Sequence, residues 1–424
     1  MKKILNIYVI FSICWFAGVT LSNVDEGDVG GSSAGYDAVT LLIEMVIFGA
    51  LFAYSVLYWR RLLRRRRHLE GPLPLICLTV ASSLWSLYPS ITFRRSVVLV
   101  VATFFAYFVG VMFDPAELIR LYRRVFTVMI LGSIAVIGLL PSYGISHGVH
   151  GGDWKGAFFH KNRLGEMMAF AAIAFVLVPT ERLPRLRRWA YVVMVLGLLY
   201  KSHSSTPVVS LAVVVAAQGI WYLLQMRRKL MSGVLLAGYP ILAVVVAVVF
   251  AYSGAIFAFL GKDTTFSGRD RLWAGVIEGI KLRPLLGYGY LAFWNPANSL
   301  LLLIAERTTF VPPHAHDGYL NLMTHVGLVG LVLFLIFLVR GLVLAVRQGR
   351  ATKSAEARWF FSFLIFMAAM NLTESQILEP FFFLWITMVA LYVSFSIERA
   401  HGYDDAEEEE LLAADQSRLI SATP

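Results

Sequence analysis

The sequence has little charge and almost no cysteine. Only 15% of its 424 residues are charged, whereas 58% are hydrophobic, above the apolar share of about 45–50% in ordinary soluble proteins. The two cysteines, Cys14 and Cys77, both fall inside apolar runs, so they offer neither a disulfide framework nor the spacing of a metal site. A soluble domain of this size has no means of burying so much apolar surface. The composition therefore excludes a soluble globular protein and indicates a chain that is embedded in lipid.

The formal net charge of +10 does not indicate a nucleic-acid binder. The basic residues lie in short loops between apolar runs, which is the arrangement of orientation signals in membrane proteins. With a cytoplasmic N-terminus, the inner loops carry roughly twice as many Lys and Arg residues as the outer ones. The sequence therefore predicts cytoplasmic N- and C-termini and an outer working face.

Apolar runs long enough for membrane helices recur along the chain. A membrane helix needs about 20 apolar residues, and the first run, although a cleaved signal peptide is an alternative, is interpreted as a retained span. The predicted fold is an all-α integral membrane protein with about twelve transmembrane helices over residues 1–398, followed by an acidic cytoplasmic tail at 399–424. The predicted spans are 4–21, 37–58, 72–88, 92–112, 121–140, 162–179, 189–201, 207–225, 233–258, 319–339, 356–372 and 380–398.

The longest predicted loop, 259–318, lies between the ninth and tenth spans and is extracytoplasmic. Long loops in compact proteins are often functional. Its segment Ser267-Gly268-Arg269-Asp270 has the spacing of a capping box, and the apolar residues that follow recur at helical intervals, which predicts an amphipathic helix at the membrane surface. Arg269 and Arg271 have the wrong sign for the positive end of a helix dipole. An anion bound there would explain them; contact with lipid headgroups is the alternative.

The segment His314-Ala315-His316-Asp317 leads into the tenth span, and Asp317 is the expected N-cap of that span. A histidine at a helix N-terminus stays neutral more easily and can accept a proton. Two such histidines can also form a metal pair, but no carboxylate cluster stands nearby in the sequence to complete a site. Hydrogen-bonded loop residues are the plainer alternative.

A polar stripe continues into the tenth span. Asp317, Asn321, Thr324 and His325 recur at i, i+4, i+7 and i+8, so they must face other helices or a wet cavity. We interpret the stripe as interhelical hydrogen bonding, with substrate contact as the alternative.

Several short motifs, taken in order, resemble those of the O-antigen ligase and polymerase superfamily. The patterns of that family are T-G-R-x-x-x-W, P-x-x-G-x-G, H-N-x-x-L and G-L-x-G. Upstream, the sequence G-A-F-F-H-K-N-R-L-G at 156–165 is similar to a segment of exopolysaccharide polymerases in the same superfamily. The other matching segments are Phe266–Arg269 with Trp273, Arg283–Gly289, His316–Leu320, Gly327–Gly330, and Leu84–Pro89 followed by Arg94.

Two positions depart from the ligase pattern. Asp317 stands where ligases usually have Asn, and His314 is an added histidine. Both features fit the exopolysaccharide polymerase-like branch better than the ligase branch.

The resemblance implies a metal-independent, inverting glycosyltransferase of the GT-C type, in the bacterial inner membrane with its active face outward. Its donor would be a glycan linked to undecaprenyl pyrophosphate, its acceptor a glycan or lipid A-core, and it would need no cofactor. The leaving pyrophosphate requires positive charge and the attacking hydroxyl requires a base. The expected catalytic residues are His316, as the base, and Arg269. The expected substrate-binding residues are Arg94, Lys161, Arg163, Arg283, His314 and Asp317.

Three functions remain open at this point. A polymerase would join one lipid-linked exopolysaccharide or O-antigen unit to another, whereas a ligase would move the glycan to lipid A-core or to protein. A glycolipid flippase or other transporter belongs to a different class. Transporters tend to have paired halves with ionisable groups near the midplane of the membrane, whereas here the outer basic residues gather at one face beside the long loop. The pattern therefore favours chemistry at the membrane surface.

Overall fold

The computed structural model describes residues 2–19, 38–147, 151–177, 185–226, 269–308, 311–379 and 383–399. Within these ranges the chain is helical, and its two β-bridges are isolated, so the predicted all-α class is confirmed for them. The predicted ninth span, 233–258, and the acidic tail from residue 400 onward lie outside the described residues. The helices are α1 (Lys2–Phe16), α2 (Ala38–Leu57), α3 (Trp59–Arg65), α4 (Leu73–Ala81), α5 (Pro89–Met112), α6 (Pro115–Leu139), α7 (Pro141–Gly144), α8 (Lys161–Leu177), α9 (Arg185–Lys201), α10 (Ser205–Gln225), α11 (Arg269–Leu282), α12 (Ser299–Thr308), α13 (Gly318–Thr352), α14 (Ala355–Met370) and α15 (383–399).

A helix overlaps each predicted span that falls inside the described ranges. By length and apolar composition, four of these helices suffice to cross a membrane, namely α5, α6, α10 and α13. The bent pair Leu42–Leu57 and Trp59–Leu69, with an angle of 83°, raises that number to five at most. The protein is therefore membrane-embedded, while the total of twelve spans stays a prediction.

The predicted third span, 72–88, is shorter in the structure. Helix α4 ends at Ala81 and passes into a 3₁₀ turn. There the Ser82 hydroxyl donates to the Thr79 carbonyl at 2.6 Å and the Ser83 hydroxyl donates to the Val80 carbonyl at 2.7 Å. Hydroxyls of this kind compete with the helical hydrogen-bond pattern. The predicted span was longer because it was based on apolar content alone.

An aromatic core holds the later helices together. Phe170 of α8 stacks on Trp359 of α14 with ring centroids 5.3 Å apart, and Tyr122 of α6 packs on the same indole at 5.6 Å. Phe383, at the start of α15, meets the Phe170 ring edge-on at 6.0 Å. Buried aromatic pairs contribute about 0.5–1.5 kcal/mol each beyond their buried area. The core fixes α14 and α15, and with them both ends of the connecting segment 371–379.

Helix α13 is broken near its start. Val326 and Gly327 leave helical geometry, and Gly327 has φ of 66°. The turn after α11 fills this break: the Leu328 amide donates to the Pro284 carbonyl at 2.8 Å, and the Gly289 amide donates to the His325 carbonyl at 3.0 Å.

Glycine is required where these two segments meet. A Cβ atom on Gly327 would overlap the backbone of Leu285, and one on Gly287 would lie 2.8 Å from the backbone of His325. Both glycines also have positive φ, a conformation that L-residues with a side chain rarely adopt. The two glycine motifs of the sequence therefore contact each other. Through this contact, backbone groups that the break in α13 leaves without helical partners are hydrogen-bonded.

Candidate functional site

The segment 371–379 between α14 and α15 lies against the start of α13. The Gly318 amide donates to the Asn371 carbonyl at 2.8 Å, and the Asn371 side-chain oxygen accepts from the Gln376 amide at 2.8 Å. A Cβ atom on Gly318 would overlap the Asn371 side chain, so only glycine permits this approach. The N-terminus of α13 and the segment 371–379 are thus fixed against each other.

Arg269, Glu374 and His316 form the centre of the site. The Arg269 guanidinium donates to the Thr373 carbonyl at 2.6 Å and pairs with Glu374 through Nη2 and Oε1 at 3.2 Å. The second carboxylate oxygen of Glu374, Oε2, lies 3.6 Å from His316 Nδ1. The carboxylate therefore sits between the guanidinium and the imidazole. The side chains of Arg269 and His316 keep 22% and 27% of their surface exposed, so a ligand can reach both.

Glu374 is ionised at neutral pH. Burial raises the pKa of its carboxyl, but the interaction with His316 and the charges of Arg269 and His314 outweigh burial and hold the pKa below its ordinary value. Because Nδ1 of His316 faces this carboxylate, the favoured tautomer of the neutral imidazole is the one with its proton on Nδ1. Its Nε2 atom is then the acceptor.

The loop before α13 holds His316 in an unusual backbone conformation. His316 has φ of 49°, a strained geometry for a residue with a side chain, which costs about 1–3 kcal/mol. Three hydrogen bonds maintain it: His314 Nδ1 accepts from the His316 amide at 3.2 Å, Trp273 Nε1 donates to the Ala315 carbonyl at 2.9 Å, and Asn321 accepts from the Ala315 amide at 3.2 Å. Strain of this kind persists where the surroundings impose it, often at functional sites.

His314 and Asp317 support this loop. Burial and the neighbouring charge of His316 lower the pKa of His314 to about 4, so this imidazole is neutral at physiological pH and serves as a hydrogen-bond acceptor. The Asp317 side chain accepts from the amides of Tyr319 and Leu320 at 2.9 and 2.8 Å. Asp317 is therefore the N-cap of α13, as the sequence predicted.

A second carboxylate meets the polar stripe of α13. Glu379 accepts a hydrogen bond from the Asn321 side-chain amide, and its Oε1 atom lies 3.6 Å from His325 Nε2. Asn321 and His325 are fully buried, and the Tyr290 hydroxyl donates to the Leu378 carbonyl beside them. The stripe faces the helix bundle, which agrees with the interhelical interpretation of the sequence.

Arg163 reaches the same segment from α8. Its Nη1 atom lies 2.9 Å from the Glu166 carboxylate and 3.0 Å from the Gln376 side-chain oxygen. The Arg163 and Glu166 side chains are 6% and 2% exposed. Arg163 thus links α8 to the segment 371–379 from a buried position.

Lys161 belongs to a separate ionic cluster. Asp153 pairs with Lys161 through one oxygen and with His203 through the other, both at 2.5 Å. Burial raises the pKa of the Asp153 carboxyl, but the hydrogen bonds and charges of Lys161 and His203 outweigh burial and lower the pKa. Asp153 and His203 were not singled out from the sequence.

Two more of the predicted substrate-binding residues lie apart from the centre formed by Arg269, Glu374 and His316. Arg94 is exposed in the first turns of α5, and Arg283 follows the far end of the 14-residue helix α11, about 20 Å along the helix from Arg269. Its guanidinium lies 5.2 Å from the Tyr288 ring centroid and donates to the Trp85 carbonyl at 3.4 Å. The neighbouring Arg95 is half-buried.

The sequence did not single out Glu374 and Glu379, the two carboxylates that lie near His316 and His325 in the structure. The two acids lie more than fifty residues further along the chain and reach the histidines because α14 and α15 return the segment 371–379 to the start of α13. The sequence did contain an indication that these acids belong to the site, because they lie in the short connection between two apolar runs, on the predicted outer side. Among the described residues, no group of three or more His, Cys, Asp or Glu side chains is placed to hold a metal ion.

The fold and the site define an α-helical, membrane-embedded protein with a cluster of histidine, arginine and carboxylate at one end of its bundle. Residues 189–335 match the model of the O-antigen ligase family. The match agrees with the resemblance of the motifs to the O-antigen ligase and polymerase superfamily, which is a group of glycosyltransferase-like enzymes. The matched segment includes Arg269, Arg283 and His316. No curated protein matches the chain significantly.

Proposed function

We propose that the protein is a polysaccharide polymerase that joins glycan units carried on undecaprenyl pyrophosphate, at the outer face of the bacterial inner membrane. It acts as a metal-independent, inverting glycosyltransferase on exopolysaccharide or O-antigen repeat units. The observation that carries the proposal is the position of the Glu374 carboxylate, 3.2 Å from Arg269 Nη2 and 3.6 Å from His316 Nδ1. This arrangement supplies a base and a cation at one place.

The base is His316. With its Nδ1 proton directed at Glu374, its Nε2 atom takes the proton of the acceptor hydroxyl as that oxygen attacks the anomeric carbon. The new bond joins the acceptor oxygen to the anomeric carbon, and the bond from that carbon to the pyrophosphate oxygen breaks. The imidazolium that forms is stabilised by the Glu374 carboxylate, as in other carboxylate–histidine pairs. Glu374 is a positioning residue in this step.

Arg269 receives the leaving group. The undecaprenyl pyrophosphate departs with the electron pair of the broken bond and carries additional negative charge. A guanidinium offers two parallel hydrogen bonds to such an anion, and Arg269 stands at the N-terminus of α11, where the helix dipole also favours negative charge. The pairing of Arg269 with Glu374 keeps the guanidinium in place before the donor binds.

The remaining predicted substrate-binding residues have different parts. Arg163 shapes the site through Gln376, and Lys161, held by Asp153 in its separate cluster, binds the donor away from the reacting carbon. His314 and Asp317 fix the loop that carries His316. The exposed Arg94 and the outlying Arg283 bind parts of the donor further from the reacting carbon.

A ligase that transfers the glycan to lipid A-core or to protein is the second candidate. The matched family, O-antigen ligase, favours it. The polymerase is preferred because His314, Asp317 and the segment 156–165 resemble the exopolysaccharide branch.

Deletion of the gene in the native host, with analysis of surface glycans, tests the proposal. A polymerase predicts loss of long-chain polymer, with single repeat units remaining, and restoration by the wild-type gene but not by the His316→Ala variant. Accumulation of long polymer that is not attached to lipid A-core would instead identify a ligase. Unchanged surface glycans would contradict both.

A further inference from the structure

A basic crevice lies at the other end of the bundle from His316. It has a volume of about 520 Å³ and is lined by Arg67, His68, Glu70, Arg340, Arg347 and Arg399. Arg340 and Arg347 stand on α13, which begins two residues after His316 and runs to Thr352. At 1.5 Å per helical residue they lie on the order of 30 Å from the catalytic centre. The crevice is therefore separate from the site described above.

The charges in this crevice are poorly compensated. Arg67, Arg340 and Arg347 are exposed, and none of the three is in a salt bridge within the described part of the chain. Among the residues that the structure describes, Glu70 is the only acid that lines the crevice. Like charges gathered in one cavity repel each other, and the repulsion is relieved when an anion binds between them.

The walls of the crevice are held by close packing. The turn that carries Arg67 approaches α15 at Gly71, where a Cβ atom would lie 2.7 Å from the Tyr392 ring. Tyr392 in turn packs edge-on against Phe337 of α13, with ring centroids 5.0 Å apart. The crevice is thus formed before any ligand binds, which lowers the cost of binding.

The surroundings of the crevice are those of a membrane interface. The chain bends by 83° between α2 and the segment Trp59–Leu69. In α3, Trp59 and Leu63 are each 52% exposed, beside exposed arginines, which is the composition of a helix lying at the headgroup level. On the other wall, Val339 and Val343 of α13 line the crevice and are 54% and 41% exposed. A ligand here meets arginines at one end and an apolar, lipid-facing surface along its side.

We propose that this crevice binds the headgroup of an anionic phospholipid. The lipid phosphates lie among Arg67, Arg340 and Arg347, and the acyl chains run along Val339 and Val343. The apolar wall favours a membrane lipid over a free anion, because inorganic phosphate makes no use of it. Three exposed arginines around one cavity favour a lipid with two phosphates, of the diphosphatidylglycerol type, over one with a single phosphate.

Lipid titration of the purified, delipidated protein tests this proposal. Native mass spectrometry counts bound lipid, and the melting temperature is followed as diphosphatidylglycerol or phosphatidylcholine is added. We expect saturable binding and stabilisation with diphosphatidylglycerol and little effect with phosphatidylcholine. In the double variant Arg340→Gln/Arg347→Gln, affinity should fall by about tenfold or more, since each Arg near an anionic membrane surface contributes about 1 kcal/mol.

The matched control is Arg61→Gln/Arg64→Gln, which removes the same charge from exposed positions on α3 that do not line the crevice. It should bind diphosphatidylglycerol as the wild type does. Equal losses in both double variants would overturn the proposal in favour of unspecific attraction. Displacement of the lipid by inorganic phosphate at similar concentration would identify a free-anion site instead. Lipid binding that appears only after the acids of 404–410 are replaced by amides would show that the chain's own tail occupies the crevice.

Discussion

Glu374 Oε2 lies 3.6 Å from His316 Nδ1, while the other oxygen of the same carboxylate lies 3.2 Å from Arg269 Nη2. One acid thus orients both the proposed base and the proposed cation for the leaving group. The three residues come from separate parts of the chain: the loop before α13, the N-terminus of α11 and the segment 371–379. The site exists only when these three elements are assembled.

Glu374→Gln should lower turnover by about 10²-fold or more, because the amide neither stabilises the imidazolium nor fixes its tautomer. Turnover is measured with a purified, lipid-linked donor.

The matched control for this prediction is Glu306→Gln, an exposed acid on α12, which should leave turnover unchanged. Turnover like that of the wild type in Glu374→Gln would show that the carboxylate has no part in catalysis.

Arg269→Ala should abolish most of the transfer, and Arg269→Lys should restore little of it. The guanidinium can donate two parallel hydrogen bonds to the leaving pyrophosphate, whereas the ammonium of lysine is a point charge. Arg271→Ala is the matched control, since Arg271 is exposed in the same turn of α11. Turnover is measured with a purified, lipid-linked donor. Equal activity in Arg269→Ala and Arg271→Ala would indicate that both arginines contact only lipid headgroups.

The predicted orientation can be tested with reporter fusions. A reporter joined after Tyr290 should score as external and one joined after Arg350 as cytoplasmic, because α13 runs between these positions with the length and apolar composition of a membrane span. Alkaline phosphatase and a fluorescent protein give opposite signals on the two sides. The same score at both positions would contradict the arrangement.

Activity in the presence of excess chelator should equal activity without it. The proposed site places Arg269 where a metal-dependent enzyme would bind a cation between the donor phosphates. Transfer by the purified protein is assayed with and without EDTA. Loss of activity that is restored by Mg²⁺ or Mn²⁺ would refute the arginine mechanism.

Local patterns in the sequence were sufficient to predict much of the fold. The apolar runs predicted the positions of the helices, and the periodic apolar residues after Arg269 predicted α11. Asp317 was predicted as the N-cap of α13. The glycine motifs at 287–289 and 327–330 were recognised as family motifs, but their physical reason, the filling of the break in α13, depends on a contact between segments about forty residues apart.

The site itself was predictable only in part. His316 and Arg269 lie in or beside motifs, whereas Glu374 and Glu379 belong to a short connection with no motif. Their role depends on the return of α14 and α15 to the start of α13, which no local pattern encodes. The sequence predicted that Arg163 contacts substrate. Its burial against Glu166 and Gln376 could not be predicted, because a sequence alone does not show which residues meet in the fold. The early end of α4 was not predicted, because the predicted span followed apolar content, whereas serine hydroxyls accompany the end of the helix.

The most direct test of the central claim is the turnover of purified His316→Ala with a lipid-linked donor, measured together with donor binding and compared with His314→Ala. Loss of a general base lowers the rate by about 10²–10⁴-fold. The account predicts a loss of this size in His316→Ala while the donor still binds, and a substantial share of activity in His314→Ala, because His314 only holds the loop. An active His316→Ala beside an inactive His314→Ala would reverse the assignment, and full activity in both would place the base elsewhere.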